Sequence, residues 1–155
     1  RECNAQDIHT VVDTSGFASW EVFESIRQDV NLFLYDLKIL DDQRHQQYTG
    51  VSNLLILNNL QRLAESGAQI FVRIPLIPGI NDDEENLKES AALIAGLPNI
   101  RAVELMAYHD IAEAKYESLG MDYQLPHTSP PTEADMQKAA KYFEDQGLGV
   151  KLAQF

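Results

Sequence analysis

The run NLFLYDLK, residues 31–38, is apolar until its end, where Asp36 and Lys38 stand two positions apart. Alternate residues of a strand face the same side, so a carboxylate and an ammonium share one face at the strand's C-terminal end. Three more polar groups follow the same placement: Asp13 closes IHTVVD, Arg73 interrupts QIFVRIPL, and His109 follows VELMAY. The Asp13 carboxylate suits a cation or the ammonium of a ligand, and a charged Arg73 inside an apolar strand needs either solvent or an anion. Each residue also has a plainer reading. Asp36 and Lys38 would serve as a surface or structural ion pair, Asp13 as a turn former in DTSG, and His109 as a hydrogen-bonded loop residue. Their coincidence at successive strand ends favours one shared site.

The elements that position these residues are parallel strands at about 8–13, 32–38, 69–75 and 101–107, with helices between them. ASWEVFESIRQ is a short helix with Ser19 as N-cap and Trp20, Phe23 and Ile26 on one stripe. ILDDQRHQQYTG predicts a turn and a short helix stopped by Gly50. SNLLILNNLQRLAESG predicts a stronger helix, with Leu57, Leu60 and Leu63 inward and Gly67 at its C-terminal cap. Asn81 is placed to cap a helix whose first turn holds the acids at 82–85 and whose Leu87, Ala91 and Ile94 face inward. Thr132 with Asp135 resembles a capping arrangement for a last helix, and GVKLAQF closes the chain as a short strand. Such β-α units imply either an open doubly wound sheet or part of a β/α barrel; in both, ligands bind beyond the C-terminal strand ends.

With 155 residues and 45% hydrophobic content, residues 1–155 are expected to form a single domain. Twenty-four acidic against 12 basic side chains give a formal charge of -12, which argues against nucleic acid and anionic membranes as partners. No apolar run approaches the roughly 20 residues of a membrane span, and RECNAQDIHT has no signal-peptide pattern, so a cytoplasmic location is expected. Cys3 is the only cysteine, which excludes an internal disulfide and a multi-cysteine cluster within these residues. The acids at 82–85 are better explained by a helix dipole than by a metal, and His45 and His127 lack ligand spacing. RECNAQDIHT reads as the last turn of a helix entering a strand, without an initiating methionine or a leading β-α unit; a portion of a longer chain is expected.

In order and approximate spacing, IHTVVDTSG, LFLYDLK, YTGVSN, VRIPLIPGINDDEEN, VELMAYH and KYESLG resemble the pyruvate formate-lyase-activating enzyme family, radical S-adenosylmethionine proteins that install glycyl radicals. The resemblance implies a partial, TIM-like β/α barrel of six parallel strands, incomplete at its N-terminal side here, with this chain supplying the last four. The missing strands would bring the Cys-x3-Cys-x2-Cys loop for a [4Fe-4S] cluster and a glycine-rich segment for the methionyl group. In that family the cluster reduces S-adenosylmethionine, and the resulting 5'-deoxyadenosyl radical takes hydrogen from a backbone glycine of the partner. By resemblance, Asp13 and Asp36 would help hold a monovalent cation, with Lys38 and His109 also binding the cofactor, His109 near its adenosyl portion. Arg73 would face the glycine-bearing loop of the partner. A glycyl radical enzyme and a small electron-transfer protein are the implied partners; no catalytic residue lies in this portion, which alone is expected to be inactive. MAYH stands where a leucine-proline pair commonly precedes the tyrosine, and Ala112 replaces a common glycine.

Two other readings compete. An aldolase-like enzyme would use Lys38 as a Schiff-base amine with Asp13 or Asp36 as proton shuttle. A non-catalytic module would bind protein through its open sheet edge, where an unpaired IHTVV strand would also favour dimers as a consequence of truncation.

Overall fold

The structure, a computed structural model, describes residues 1–109, 118–120 and 128–153. The chain begins with a short helix α1 (Glu2–Ala5), then β1 (Val11–Thr14), α2 (Trp20–Ile26) and β2 (Leu32–Asp36). Two helices, α3 (Asp42–Thr49) and α4 (Leu54–Glu65), lead to β3 (Ile70–Leu76). There follow α5 (Glu84–Ala95), β4 (Ile100–Ala107), α6 (Glu133–Glu144) and β5 (Val150–Ala153). Ala112 and His127 lie outside the described residues, as does part of KYESLG.

All strands are parallel, in the order β1-β2-β3-β4-β5. A doubly wound sheet requires a reversal of strand order, and there is none, so the barrel-type winding is the one realised. With right-handed crossovers, strand order equal to chain order puts the described connecting helices on the same face. Burial follows: β3 alternates buried Ile70, Val72, Ile74 and Leu76 with half-buried Phe71, Arg73 and Pro75. The closing strand β5 pairs with β4, so the chain supplies five parallel strands where the resemblance implied four. The sheet is open, with β1 and β5 as its edges.

The core lies between sheet and helices. Phe23 of α2, Leu60 and Leu63 of α4, Leu87, Ala91 and Ile94 of α5 and Met136 and Phe143 of α6 meet Phe33, Tyr35, Val72, Ile74 and Leu105. Each large side chain so buried contributes roughly 1.5–3 kcal/mol relative to exposure. The expected stripes are these, with Trp20, Ile26 and Leu57 packed at the margin. Ser19 occupies the N-cap position of α2 without a side-chain capping hydrogen bond, its carbonyl accepting from the Val22 N–H at 3.1 Å, whereas Thr132 and Asp135 form a full capping box on α6. One cap differs from expectation: Asp83 caps α5 by accepting from the Asn86 N–H at 3.0 Å, while Asn81 is buried and its side chain goes to the strand ends.

The loop after β1 turns at Gly16, whose φ of +75° lies in the left-handed region. A Cβ at Gly16 would strike the ring and hydroxyl of Tyr35, which is fully buried and donates to the Ile56 carbonyl at 2.6 Å. Burial pushes the Tyr35 phenol well above its ordinary pKa, so it stays a neutral donor. Gly50 has a similar φ of +79° and open space around it. Gly50→Ala should therefore lower stability by about 1 kcal/mol, and Gly16→Ala by about 3 kcal/mol or more, in urea unfolding. Equal losses at both positions would show that the Tyr35 contact contributes nothing.

Candidate functional site

The C-terminal ends of the strands carry the polar groups singled out from the sequence. Asp36 and Arg73 are register partners on β2 and β3, which places their side chains together on the face opposite the core. Arg73 Nη2 and Nε donate to Asp36 Oδ1 at 2.8 and 3.1 Å, and Nη2 also reaches Asp13 Oδ1. Lys38 Nζ donates to the other oxygen of Asp36 at 3.2 Å. The β2 ladder ends at Asp36, but alternation continues past it, with Leu37 and Ile39 buried and Lys38 half-buried on the site face. Asp13, Asp36, Lys38 and Arg73 thus form one connected network across three strands. His109 stands at the same edge, as the second residue after β4.

The Arg73 side chain is 15% exposed, against 20% for Asp36 and 62% for Asp13. Burial by itself disfavours the guanidinium charge; hydrogen bonding and charge from Asp36, with those from Asp13, more than offset it and hold the Arg73 pKa above its ordinary value. The space between the two carboxylates, expected to suit a monovalent cation, is filled by this guanidinium. Lys38 and Asp13 are the more solvent-exposed members of the network. An ammonium held by Asp36 is better placed to bind an anion than to act as a free amine nucleophile.

Sequence reasoning missed two residues of this face. Arg73 is in register with Glu104, and Glu104 with Lys151, so Asp36, Arg73, Glu104 and Lys151 make a row of alternating charge across four strands. Lys151 Nζ also lies 4.3 Å from the Phe71 ring centroid. The signal was present, since Glu104 breaks the apolar run AVELMA at the phase of Ala102 and Met106. The acids at 82–85 prove to be helix-start residues: Asp83 caps α5 and pairs with Arg44 at 2.7 Å, and Glu84 pairs with Lys88.

No protein-family model matches the chain. Trans-4-hydroxy-L-proline dehydratase activating enzyme of Clostridioides difficile is 38% identical over 97% of this chain and 50% of its own length. Pyruvate formate-lyase 1-activating enzyme of Escherichia coli is 29% identical over 97% of the chain and 62% of its own length. A solved structure of a domain of pyruvate-formate lyase-activating enzyme from Bacteroides vulgatus superimposes with a TM-score of 0.82 at 33% identity, covering 99% of this chain and 86% of that one. This chain belongs to the pyruvate formate-lyase-activating enzyme family. It spans about half the length of the curated activating enzymes it matches. A radical SAM methyltransferase from Sphaerobacter thermophilus, 16% identical with a TM-score of 0.69, shares the fold.

For this member of the pyruvate formate-lyase-activating enzyme family, the unequal burial of the two carboxylates makes a measurable difference. A double-mutant cycle on Arg73 and Asp36 should give a coupling of about 1–3 kcal/mol that persists in salt. The Arg73 and Asp13 cycle should give about 0.5 kcal/mol, vanishing in high salt. Equal couplings would contradict Asp36 as the principal partner.

Proposed function

We propose that residues 1–155 are a single domain, the C-terminal portion of a radical S-adenosylmethionine enzyme that generates a glycyl radical on a partner enzyme. The observation that carries this is the joined Asp13, Asp36, Lys38 and Arg73 at the strand ends of a chain whose relatives are glycyl-radical-enzyme activating enzymes. The donor set suits the amino-acid end of the cofactor: Lys38 would bind its carboxylate, while Asp13 and Asp36, exchanging the Arg73 guanidinium that now lies between them, would hold its ammonium or a monovalent cation beside it. His109 would lie at the adenosyl portion, and Arg73 would face the glycine-bearing loop. When bound, S-adenosylmethionine would supply the hydrogen abstraction, after reduction by a [4Fe-4S] cluster. With Cys3 as its only cysteine, this chain cannot furnish the thiolates of a Cys-x3-Cys-x2-Cys loop, so the cluster ligands would come from another segment.

The remaining work of these residues would be to orient the ligand and to exclude water from one wall of the site, within an open sheet rather than a closed barrel. A small electron-transfer protein would serve the cluster. Among the described residues no helix is long and apolar enough to cross a membrane. We assign the protein to the cytoplasm.

Anaerobic reconstitution of this chain with iron and sulfide should yield no visible cluster absorption; a stable cluster would refute the proposed division of labour. Calorimetric titration with S-adenosylmethionine should show saturable binding, weakened about tenfold or more in Lys38→Met. Unchanged binding in that variant would remove Lys38 from the site.

A further inference from the structure

Lys38 lies beyond the last ladder pair of β2, so something other than the sheet must hold it. The ladder between β2 and β3 continues through the bond from the Leu37 N–H to the Arg73 carbonyl at 2.9 Å and then meets Pro75. Proline has no N–H to donate, so regular pairing stops there. Three buried asparagines take over. Asn81 Nδ2 donates to the Lys38 carbonyl at 2.9 Å and to the Pro75 carbonyl at 2.7 Å, while its Oδ1 accepts from the Ile77 N–H at 2.7 Å. Asn53 Nδ2 donates to the Ile39 and Leu40 carbonyls at 3.0 and 2.6 Å. Asn86 Oδ1 accepts from the Leu40 N–H at 3.0 Å, and its Nδ2 donates to the Asn81 carbonyl at 2.9 Å.

We infer that Asn81 is a positioning residue for Lys38: its side-chain amide joins β2 to β3 where Pro75 interrupts the ladder and so fixes the Lys38 backbone beside Asp36. Helix capping does not account for it, because Asp83 caps α5. General filling of the core does not account for it either. Asn81 is 1% exposed, and both its donors go to the residues immediately following, on the same face, the register pair Asp36 and Arg73. Lys38 and Pro75 each stand two positions beyond that pair, so the amide occupies the site of the next rung. A side chain supported in this way keeps its direction when its partner ion is exchanged for a ligand.

The functional consequence rests on the proposed binding of S-adenosylmethionine by Lys38; the positioning itself does not. The test uses Asn81→Ser in the full chain, with its far-UV circular dichroism checked first. Hydrogen exchange should accelerate about tenfold or more in the segment 37–41 and remain unchanged in β4. Unchanged exchange at 37–41 would overturn the inference. The calorimetric Kd for S-adenosylmethionine should rise about tenfold, the size of effect that supporting residues exert on a ligand site, and Lys38→Met should add no further loss in the Asn81→Ser background. Fully additive losses would also overturn it, since a general loss of structure is additive with removal of Lys38. If the unsubstituted chain binds no S-adenosylmethionine, the functional proposal fails for this chain while the exchange result still decides the role of Asn81. If Asn81→Ser does not fold, the unsubstituted chain decides. The Asn81 side-chain amide protons should exchange far more slowly than those of exposed Asn58, and equal rates would refute the clamp.

Discussion

Strand order equal to chain order governs nearly everything else in this molecule. Parallel strands laid side by side in sequence, each followed by a right-handed crossover, put all their helices on one face of the sheet. That face becomes the core and takes the apolar phase of every strand. Among the described residues the opposite face carries the polar phase of the strands, including their charged side chains. Asp36, Arg73, Glu104 and Lys151 occupy it as neighbours because the register aligns them, although they are far apart in the chain.

Within that row the physics is uneven. Arg73 is the most enclosed of the three network members joined at its guanidinium, and burial works against its charge. Asp36 compensates at close range and from a comparably enclosed position, while Asp13 does so from solvent. A half-buried cation held by two carboxylates, with a lysine on the far oxygen of one of them, is an ordered set of charges whose partners can be exchanged without new groups being buried.

The mouth of the sheet is irregular backbone, and irregular backbone leaves polar groups without ladder partners. Asparagine side chains meet that need twice. Asn59 donates to the Gly16 and Ala18 carbonyls at 2.9 and 2.8 Å, pinning the loop that follows Asp13. Asn81, Asn53 and Asn86 do the same for the segment that carries Lys38. Both loops are therefore held from behind by buried amides, while Asp13 and Lys38 in front of them stay partly exposed.

Much of this was legible in the sequence. Period-two alternation marked the strands and put Asp36 and Lys38 on one face, because side-chain direction in a strand is a local property. The apolar stripes of α4 and α5 and the capping box of Thr132 and Asp135 are likewise local, and the structure has them. Family membership was legible too, through the order of several motifs. Register was not. That Glu104 stands beside Arg73, and Lys151 beside Glu104, depends on how strands align across the sheet, which no spacing along the chain encodes. Asn81 shows the same limit: next to a helix start its type suggests a cap, and only the packed structure brings it to the gap left by Pro75. The sequence alone determined which residues carry charge at the strand ends; tertiary structure decided which of them meet and what holds them, because those contacts join segments that only the sheet brings together.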